Sequence, residues 1–132
     1  MKTKPTLLND LYTINDVQED NANNAVKISI TLNPSHRIFQ GHFPGNPVLP
    51  GVCTVQIIKE LLSDHLKKEL ILKKAGTIKY LSFINPEVNR IIDVELQLKD
   101  AEDGLLACTA KVFYEAKVFC SFKGGFGEAT TP

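Results

Sequence analysis

The sequence predicts an α+β domain in which an antiparallel sheet curves around one long helix. Several segments alternate apolar and polar residues, which is the period of a half-buried strand. Only residues 52–70 combine apolar residues at helical spacing with the absence of a helix breaker. The predicted order, in which strands are followed by one helix and then by more strands, is typical of α+β proteins. Because no second helix is available to cover the central one, the sheet has to curl around it.

Two strands are predicted before the helix. Residues 26–32, VKISITL, alternate strictly between apolar and polar side chains and therefore form a strand with one buried face. Residues 11–18 form a weaker strand ahead of it, and the Asn- and Asp-rich segment between the two is the predicted connection. The predicted sheet thus begins well before the helix does.

Four strands are predicted after the helix. They lie at residues 77–83, 92–99, 105–112 and 117–122. The second of them has the clearest alternation, and a turn around Tyr114 and Glu115 separates the last two. The last three strands therefore follow one another as hairpins, which makes their pairing antiparallel.

The length and charge of the chain limit the classes of protein it can be. With 132 residues the chain has the size of one domain, predicted to span residues 1–132. Its 43% hydrophobic and 23% charged residues are those of an ordinary globular protein rather than a disordered one. Fifteen basic residues balance fifteen acidic ones, so no strong field draws the chain to nucleic acid or to an anionic membrane. We expect neither as a partner.

The cysteines and the N-terminus bear on cellular location. Cys53, Cys108 and Cys120 are far apart and form no CxxC pair, so neither a disulfide framework nor a zinc site is indicated. The first residues include no apolar stretch as long as that of a signal peptide. We expect a cytoplasmic protein without a metal or cofactor.

The long loop before the helix holds the first candidate for catalysis. Residues 33–51 contain four prolines and three glycines, which predicts a stiff, irregular loop. His42 is the one titratable side chain of its second half, and an imidazole with a pKa of about 6.5 can take up and return a proton near neutral pH. We interpret His42 as a candidate base on a rigid platform. His36, in the polar first half, is interpreted as solvated.

Gly51 stands where this loop enters the helix. The first N–H groups of a helix have no partner within the helix and lie at the positive end of its dipole. The amides of Gly51 and Val52 are therefore suited to a developing oxyanion. The absence of a Cβ at Gly51 also lets a substrate carbonyl approach the backbone closely.

These residues carry a resemblance to a known family. The segment FQGHFPGNPVLPGV, residues 39–52, resembles the FxGHFPxxPxxPG signature of the hot-dog 3-hydroxyacyl-[acyl-carrier-protein] dehydratases of fatty acid synthesis. A weaker similarity to the family's IKxxKFxxPVxPGD stretch runs from Ile78 to Pro86. There the sequence departs from the family, because residues 87–90 replace the Pro-Gly-Asp. The resemblance covers most of the chain.

The resemblance implies a hot-dog fold that dimerises, with active sites that take residues from both subunits. It implies that His42 removes the α-proton of a 3-hydroxyacyl thioester and that the carbonyl of Val48 orients the imidazole. The N–H of Gly51 would hold the thioester carbonyl. Phe43, Val48, Val52 and Glu60 are the residues expected to contact the substrate.

One position departs from the family in a way that affects the chemistry. The family's acid, which protonates the departing hydroxyl, stands five residues after the final glycine of the signature, where this chain has Gln56. An amide can hold a hydroxyl group but cannot donate a proton to it and remain stable. A positioned acid accelerates a reaction by about 10²- to 10⁴-fold, and the substitution removes the group that would provide this acceleration.

Three explanations stay open at this stage. Glu60, one helical turn further on, could supply the carboxyl group. A related subunit could bring the acid while this chain supplies His42. The chain could also bind acyl thioesters without dehydrating them, or hydrolyse them.

The predicted function is dehydration of 3-hydroxyacyl thioesters, carried by acyl carrier protein or CoA, to trans-2-enoyl thioesters in fatty acid or polyene-type biosynthesis. Its catalytic residues would be His42, Gln56 and Gly51. The alternative is an acyl-thioester-binding subunit that pairs with an acid-bearing relative, or a thioesterase. A homodimer or higher oligomer is expected, or a heterodimer with a related hot-dog subunit.

Overall fold

The computed structural model describes residues 6–40, 47–100 and 104–128, which form one six-stranded antiparallel sheet and one long helix. The elements are β1 (Tyr12–Asp20), β2 (Ala25–Leu32), α1 (Gly51–Leu66), β3 (Leu70–Tyr80), β4 (Ile91–Asp100), β5 (Leu106–Tyr114) and β6 (Lys117–Glu128). Short 3₁₀ turns occupy Asn21–Asn23 and Arg37–Phe39. The strand order is β1-β2-β4-β5-β6-β3. The predicted α+β class is confirmed.

The core lies between the inner face of the sheet and α1. Every second residue of β2 is buried, which is the pattern expected of a strand with one face on the core. The helix is buried along more than one side rather than along a narrow stripe, as a helix enclosed by a curved sheet has to be. Its buried residues are Cys53, Thr54, Ile57, Ile58, Glu60, Leu61 and Leu62.

The helix is shorter than predicted. It ends at Leu66 rather than at residue 70, because Lys67 adopts the left-handed conformation with φ 56°. The N–H of Lys68 then donates to the carbonyl of Ser63, which satisfies a carbonyl of the last turn. The apolar pattern of the helix continues directly into the next strand, so spacing alone gave no signal for the boundary.

The strand after the helix begins earlier than predicted. β3 starts at Leu70 and ends at Tyr80, whereas the predicted strand covered residues 77–83. Its first half pairs with the C-terminal half of β6, where Leu70 lies opposite Glu128. That half of β6, beyond residue 122, was also absent from the prediction because it is rich in glycine. The first half of β3 and the C-terminal half of β6 are strands because they pair with each other.

The remaining strands agree with the prediction within a few residues. β4, β5 and β6 are consecutive antiparallel neighbours, so the predicted hairpin succession is confirmed. The turn between β5 and β6 contains Glu115 with φ 52°. The three cysteines are free and buried. Within the described part of the chain, no helix is long and apolar enough to cross a membrane.

Candidate functional site

The loop that carries the signature ends in an uncapped helix. Pro50 precedes α1 in an extended conformation and provides no side-chain cap. Its carbonyl accepts hydrogen bonds from the N–H groups of Cys53 and Thr54. The N–H groups of Gly51 and Val52 donate to no backbone group among the described residues. Within residues 6–40, 47–100 and 104–128, the predicted donors thus have no backbone partner at the position where α1 begins.

A cavity of about 330 Å³ opens beside these donors. It lies between the end of the loop, the first turn of α1, the end of β3 with the segment after it, and β6. Its walls are mainly apolar, and the lining residues are Val48, Leu49, Pro50, Gly51, Thr54, Tyr80, Ser82, Phe83, Ile84, Phe119 and Cys120. Of the predicted site residues, the structure thus brings Val48 and Gly51 together at this cavity.

Tyr80 packs against the backbone of Gly51. A Cβ atom built on Gly51 would lie 2.7 Å from the Cζ atom of the Tyr80 ring and 2.9 Å from its hydroxyl oxygen. Such contacts are too short for any side chain, so glycine is required at this position as long as the ring stays where it is. The glycine that the signature places at the helix start therefore also accommodates a neighbour from β3.

Gln56 and Glu60 lie together at a different place on α1. The amide nitrogen of Gln56 donates to Oε2 of Glu60 at 2.8 Å. Glu60 is only 8% exposed. Neither residue lines the cavity beside Gly51. Within one subunit, the residue at the family's acid position is therefore paired with a buried carboxylate rather than placed at the cavity.

The Glu60 carboxylate also anchors the N-terminal segment. It accepts hydrogen bonds from the backbone N–H groups of Leu7, at 2.9 and 3.1 Å, and of Leu8, at 3.0 Å. The hydroxyl of Tyr12 donates to it at 2.9 Å. Burial and the adjacent carboxylate raise the pKa of Tyr12, so its phenol stays protonated. With Gln56, four groups donate to one buried carboxylate, as a buried charge requires.

The other predicted site residues are placed as follows. Val52 is 77% exposed on the first turn of α1. His42 and Phe43 lie outside the described residues. The catalytic and substrate-binding roles of the predicted site residues stay predictions; these residues are His42, Phe43, Val48, Gly51, Val52, Gln56 and Glu60.

Sequence reasoning missed two residues near the loop and the cavity. Tyr80 gave no signal, because alternation along a strand does not reveal which helix backbone its side chain meets. His36 was interpreted as solvated, which is wrong: it is buried, its Nδ1 accepts from the N–H of Ile38, and its Nε2 is 3.1 Å from a carboxylate oxygen of Asp10. His36 thus fixes the turn that leads into the signature loop.

The three buried thiols lie in surroundings that disfavour the reactive thiolate form. Burial raises the pKa of Cys53 and of Cys120, and that of Cys108 to about 12. A thiol is a nucleophile as the thiolate, which these environments disfavour. Cys53, in the first turn of α1, therefore behaves as a small apolar residue.

Comparisons with known proteins agree with this architecture. Residues 18–121 match the family model described as ApeI-like, ApeI dehydratase. The 3-hydroxyacyl-[acyl-carrier-protein] dehydratase FabZ of Levilactobacillus brevis is 32% identical over 126 residues, covering 88% of this chain and 84% of that protein. FabZ of Lactobacillus helveticus is 29% identical over 112 residues, covering 80% and 74% of the two chains.

The solved structures support the fold. The dehydratase heterocomplex ApeI:P from Xenorhabdus doucetiae matches with a TM-score of 0.64 and 19% identity, covering 82% of this chain and 91% of that chain. At this identity the likeness concerns the fold alone, and it confirms the predicted hot-dog arrangement. With a family match over most of its length and a curved sheet around one helix, the chain belongs to the ApeI-like family of hot-dog dehydratases.

Proposed function

We propose that this chain is a hot-dog subunit that acts on 3-hydroxyacyl thioesters, carried by acyl carrier protein or CoA, and removes water to give trans-2-enoyl thioesters. The observation that carries the proposal is the apolar cavity beside the N–H of Gly51, which has no backbone partner in the described part of the chain. An acyl chain needs apolar walls, and a thioester carbonyl needs a donor at one end. The cavity combines both features. No metal or cofactor is part of this proposal, and the cytoplasmic location stays a prediction.

In this mechanism His42 is the base, and the N–H of Gly51 is the hydrogen-bond donor to the thioester oxygen. Removal of the α-proton by the imidazole places negative charge on the thioester oxygen. The N–H of Gly51 stabilises that charge from the N-terminal end of α1. The carbonyl of Val48 orients the imidazole, and Phe43 and Val52 contact the acyl chain. The imidazolium of His42 then returns that proton to the hydroxyl at C3 as the C–O bond breaks, so that water leaves, the enoyl thioester forms and the base is regenerated.

Because Gln56 does not line the cavity of its own subunit, it is proposed to hold the 3-hydroxyl group of a substrate bound at the cavity of an adjacent subunit, in an active site shared by the two. Its amide nitrogen already donates to Glu60, so the amide oxygen is left to accept a hydrogen bond from a hydroxyl. An acceptor fixes the position of the hydroxyl but does not protonate it. For Glu60 to contact substrate, as predicted from sequence, one of its four donors would have to be displaced.

A second candidate function follows from the glutamine at the acid position. Because the residue at the acid position is an amide, the acid could come from a related subunit across a shared active site. This chain would then supply the base and the carbonyl donor of a heteromeric dehydratase. The ApeI:P protein from Xenorhabdus doucetiae is a dehydratase heterocomplex, which supports considering this arrangement.

In either case, we propose that the partner subunit binds at the edge of the sheet formed by β3. β3 is an edge strand, and its outer side has no partner strand in the described part of the chain. Exposed apolar side chains cluster there and on the adjoining segments, an unusual surface for a monomer. They include Ile78, Leu81, Phe83, Val88 and Ile91. We propose that a second hot-dog subunit covers this surface, either an identical copy or a relative.

The test is turnover of 3-hydroxyacyl thioesters by the purified chain, followed by the absorbance of the enoyl thioester. His42→Ala should abolish turnover. His65→Ala, at the opposite end of α1, is the matched control and should not. Unchanged turnover in His42→Ala contradicts the mechanism, and release of free thiol identifies a thioesterase instead.

The heteromeric candidate needs a separate measurement. Native mass spectrometry of the protein purified from its own cells should detect a second hot-dog subunit. A homodimer that dehydrates the substrate by itself would eliminate the heteromeric candidate.

A further inference from the structure

The Tyr80 side chain lies at the place where the proposed substrate binds. Tyr80 is the last residue of β3, and its ring packs on Gly51 at the start of α1. Both residues line the apolar cavity. Tyr80 is 56% exposed, and its hydroxyl forms no hydrogen bond with any residue that the structure describes. A phenol O–H therefore stands available beside the N–H of Gly51.

The distance between the two donors suits a shared acceptor. The Gly51 nitrogen is about 2.5 Å from the Cβ position built on it, because both are bonded to Cα. The hydroxyl oxygen of Tyr80 is 2.9 Å from that Cβ position, which puts it within about 5.4 Å of the nitrogen. An oxygen that accepts from two donors at about 2.9 Å each permits a separation of up to about 5.8 Å between them. The geometry is compatible with one oxygen atom between the two groups.

We propose that the Tyr80 hydroxyl is the second donor to the thioester oxygen, acting together with the N–H of Gly51. This inference rests on the proposed function and adds a catalytic residue to it. As the α-proton leaves, charge accumulates on the thioester oxygen, and a second donor stabilises it more in the transition state than in the ground state. Thr54 and Ser82 also line the cavity, but the three atoms nearest to the Cβ position of Gly51 all belong to Tyr80.

The surroundings of Tyr80 fit a donor. Partial burial and the adjacent Cys120 raise the pKa of its phenol, so it keeps its proton at neutral pH. A phenol is also a stronger hydrogen-bond donor than an aliphatic hydroxyl. Its ring also lines the cavity, next to the position proposed for the thioester oxygen.

The test measures polarisation of a bound carbonyl rather than turnover alone. The probe is a trans-2-enoyl thioester of N-acetylcysteamine with a ¹³C-labelled carbonyl, and the readout is its stretching frequency in an isotope-edited infrared difference spectrum. Wild type should lower the frequency relative to the free probe, and Tyr80→Phe should lose part of that shift. For a chain that turns over, kcat should fall about 10²-fold with little change in KM.

Tyr114→Phe is the matched control, since Tyr114 is an exposed tyrosine at the end of β5, outside the cavity. It should behave as wild type in both measurements. A second variant that carries 3-fluorotyrosine at position 80 keeps the ring and strengthens the donor, so it should enlarge the shift. This readout keeps the test decisive even if Tyr80→Phe loses stability.

The possible failures are distinguishable. If wild type binds the probe and lowers its carbonyl frequency, but Tyr80→Phe gives the same spectrum and the same kcat, the role of Tyr80 is refuted while the proposed function stands. If wild type does not bind the probe, the proposed function is refuted together with this inference. The spectrum does not require turnover, so a catalytically silent subunit gives an equally clear answer.

Discussion

Replacing Gln56 by glutamate should make the stability of the protein strongly dependent on pH. The substitution restores the acid of the family signature but places a second carboxyl group about 2.8 Å from the buried carboxylate of Glu60. It also removes one of the four donors to that carboxylate. Two carboxylates at this distance do not both ionise at low cost, so the pair is expected to share a proton.

The size of the effect follows from the distance. Two unit charges 2.8 Å apart repel by about 1.5 kcal/mol at the dielectric constant of water and by about 6 kcal/mol at an effective value of 20. The pair is partly buried, so the cost of full ionisation lies between these figures. The repulsion therefore raises the pKa of the pair above that of an ordinary glutamate.

The direction of the pH dependence is determined by this raised pKa. A glutamate in the unfolded chain titrates near 4.3, whereas the folded variant still holds the shared proton above that pH. The folded variant therefore binds more protons than its unfolded chain, and its stability falls as the pH rises from about 4 towards the raised pKa. Relative to wild type, Gln56→Glu should cost little at pH 4 and most at pH 8.

The assay is urea unfolding of wild type and Gln56→Glu at pH 4, 6 and 8, compared as differences in unfolding free energy. Gln97→Glu, at an exposed position of β4, is the control and should show no comparable trend. A difference for Gln56→Glu that stays constant between pH 4 and 8 would refute the reasoning. It would mean that the two side chains separate and that the observed hydrogen bond does not fix Gln56.

Three further predictions concern the helix and its neighbours. Tyr12→Phe removes a buried donor to Glu60 and should lower the free energy of unfolding by about 1–3 kcal/mol; a loss below about 0.5 kcal/mol would contradict the network. Gly51→Ala should displace the Tyr80 ring and weaken binding of the thioester probe, and unchanged affinity in a titration would count against the close packing. Lys67→Gly should raise the melting temperature, because the left-handed conformation at the end of α1 costs a lysine about 1 kcal/mol that glycine does not lose. An unchanged melting temperature would argue that this strain is absent.

The fold class and the family can both be inferred from local patterns in the sequence. Alternation in residues 26–32 and 92–99 predicts strands because successive side chains of a strand point to opposite faces, which is a local property. The prolines and glycines around His42 identify the signature without any structure, since they restrict the backbone within the segment itself. Gln56 at the acid position was likewise readable, because the spacing from Gly51 is fixed by the chain.

Contacts between residues that are distant in the chain could not be inferred in this way. Glu60 and Leu7 are 53 residues apart in the chain, and nothing local to either predicts that a buried carboxylate anchors the N-terminal segment. The contact between Tyr80 and Gly51 likewise depends on how β3 lies across the start of α1. A sequence pattern records which face of an element is apolar, whereas the partners of that face depend on strand order and register, which are set by packing of the whole sheet around the helix.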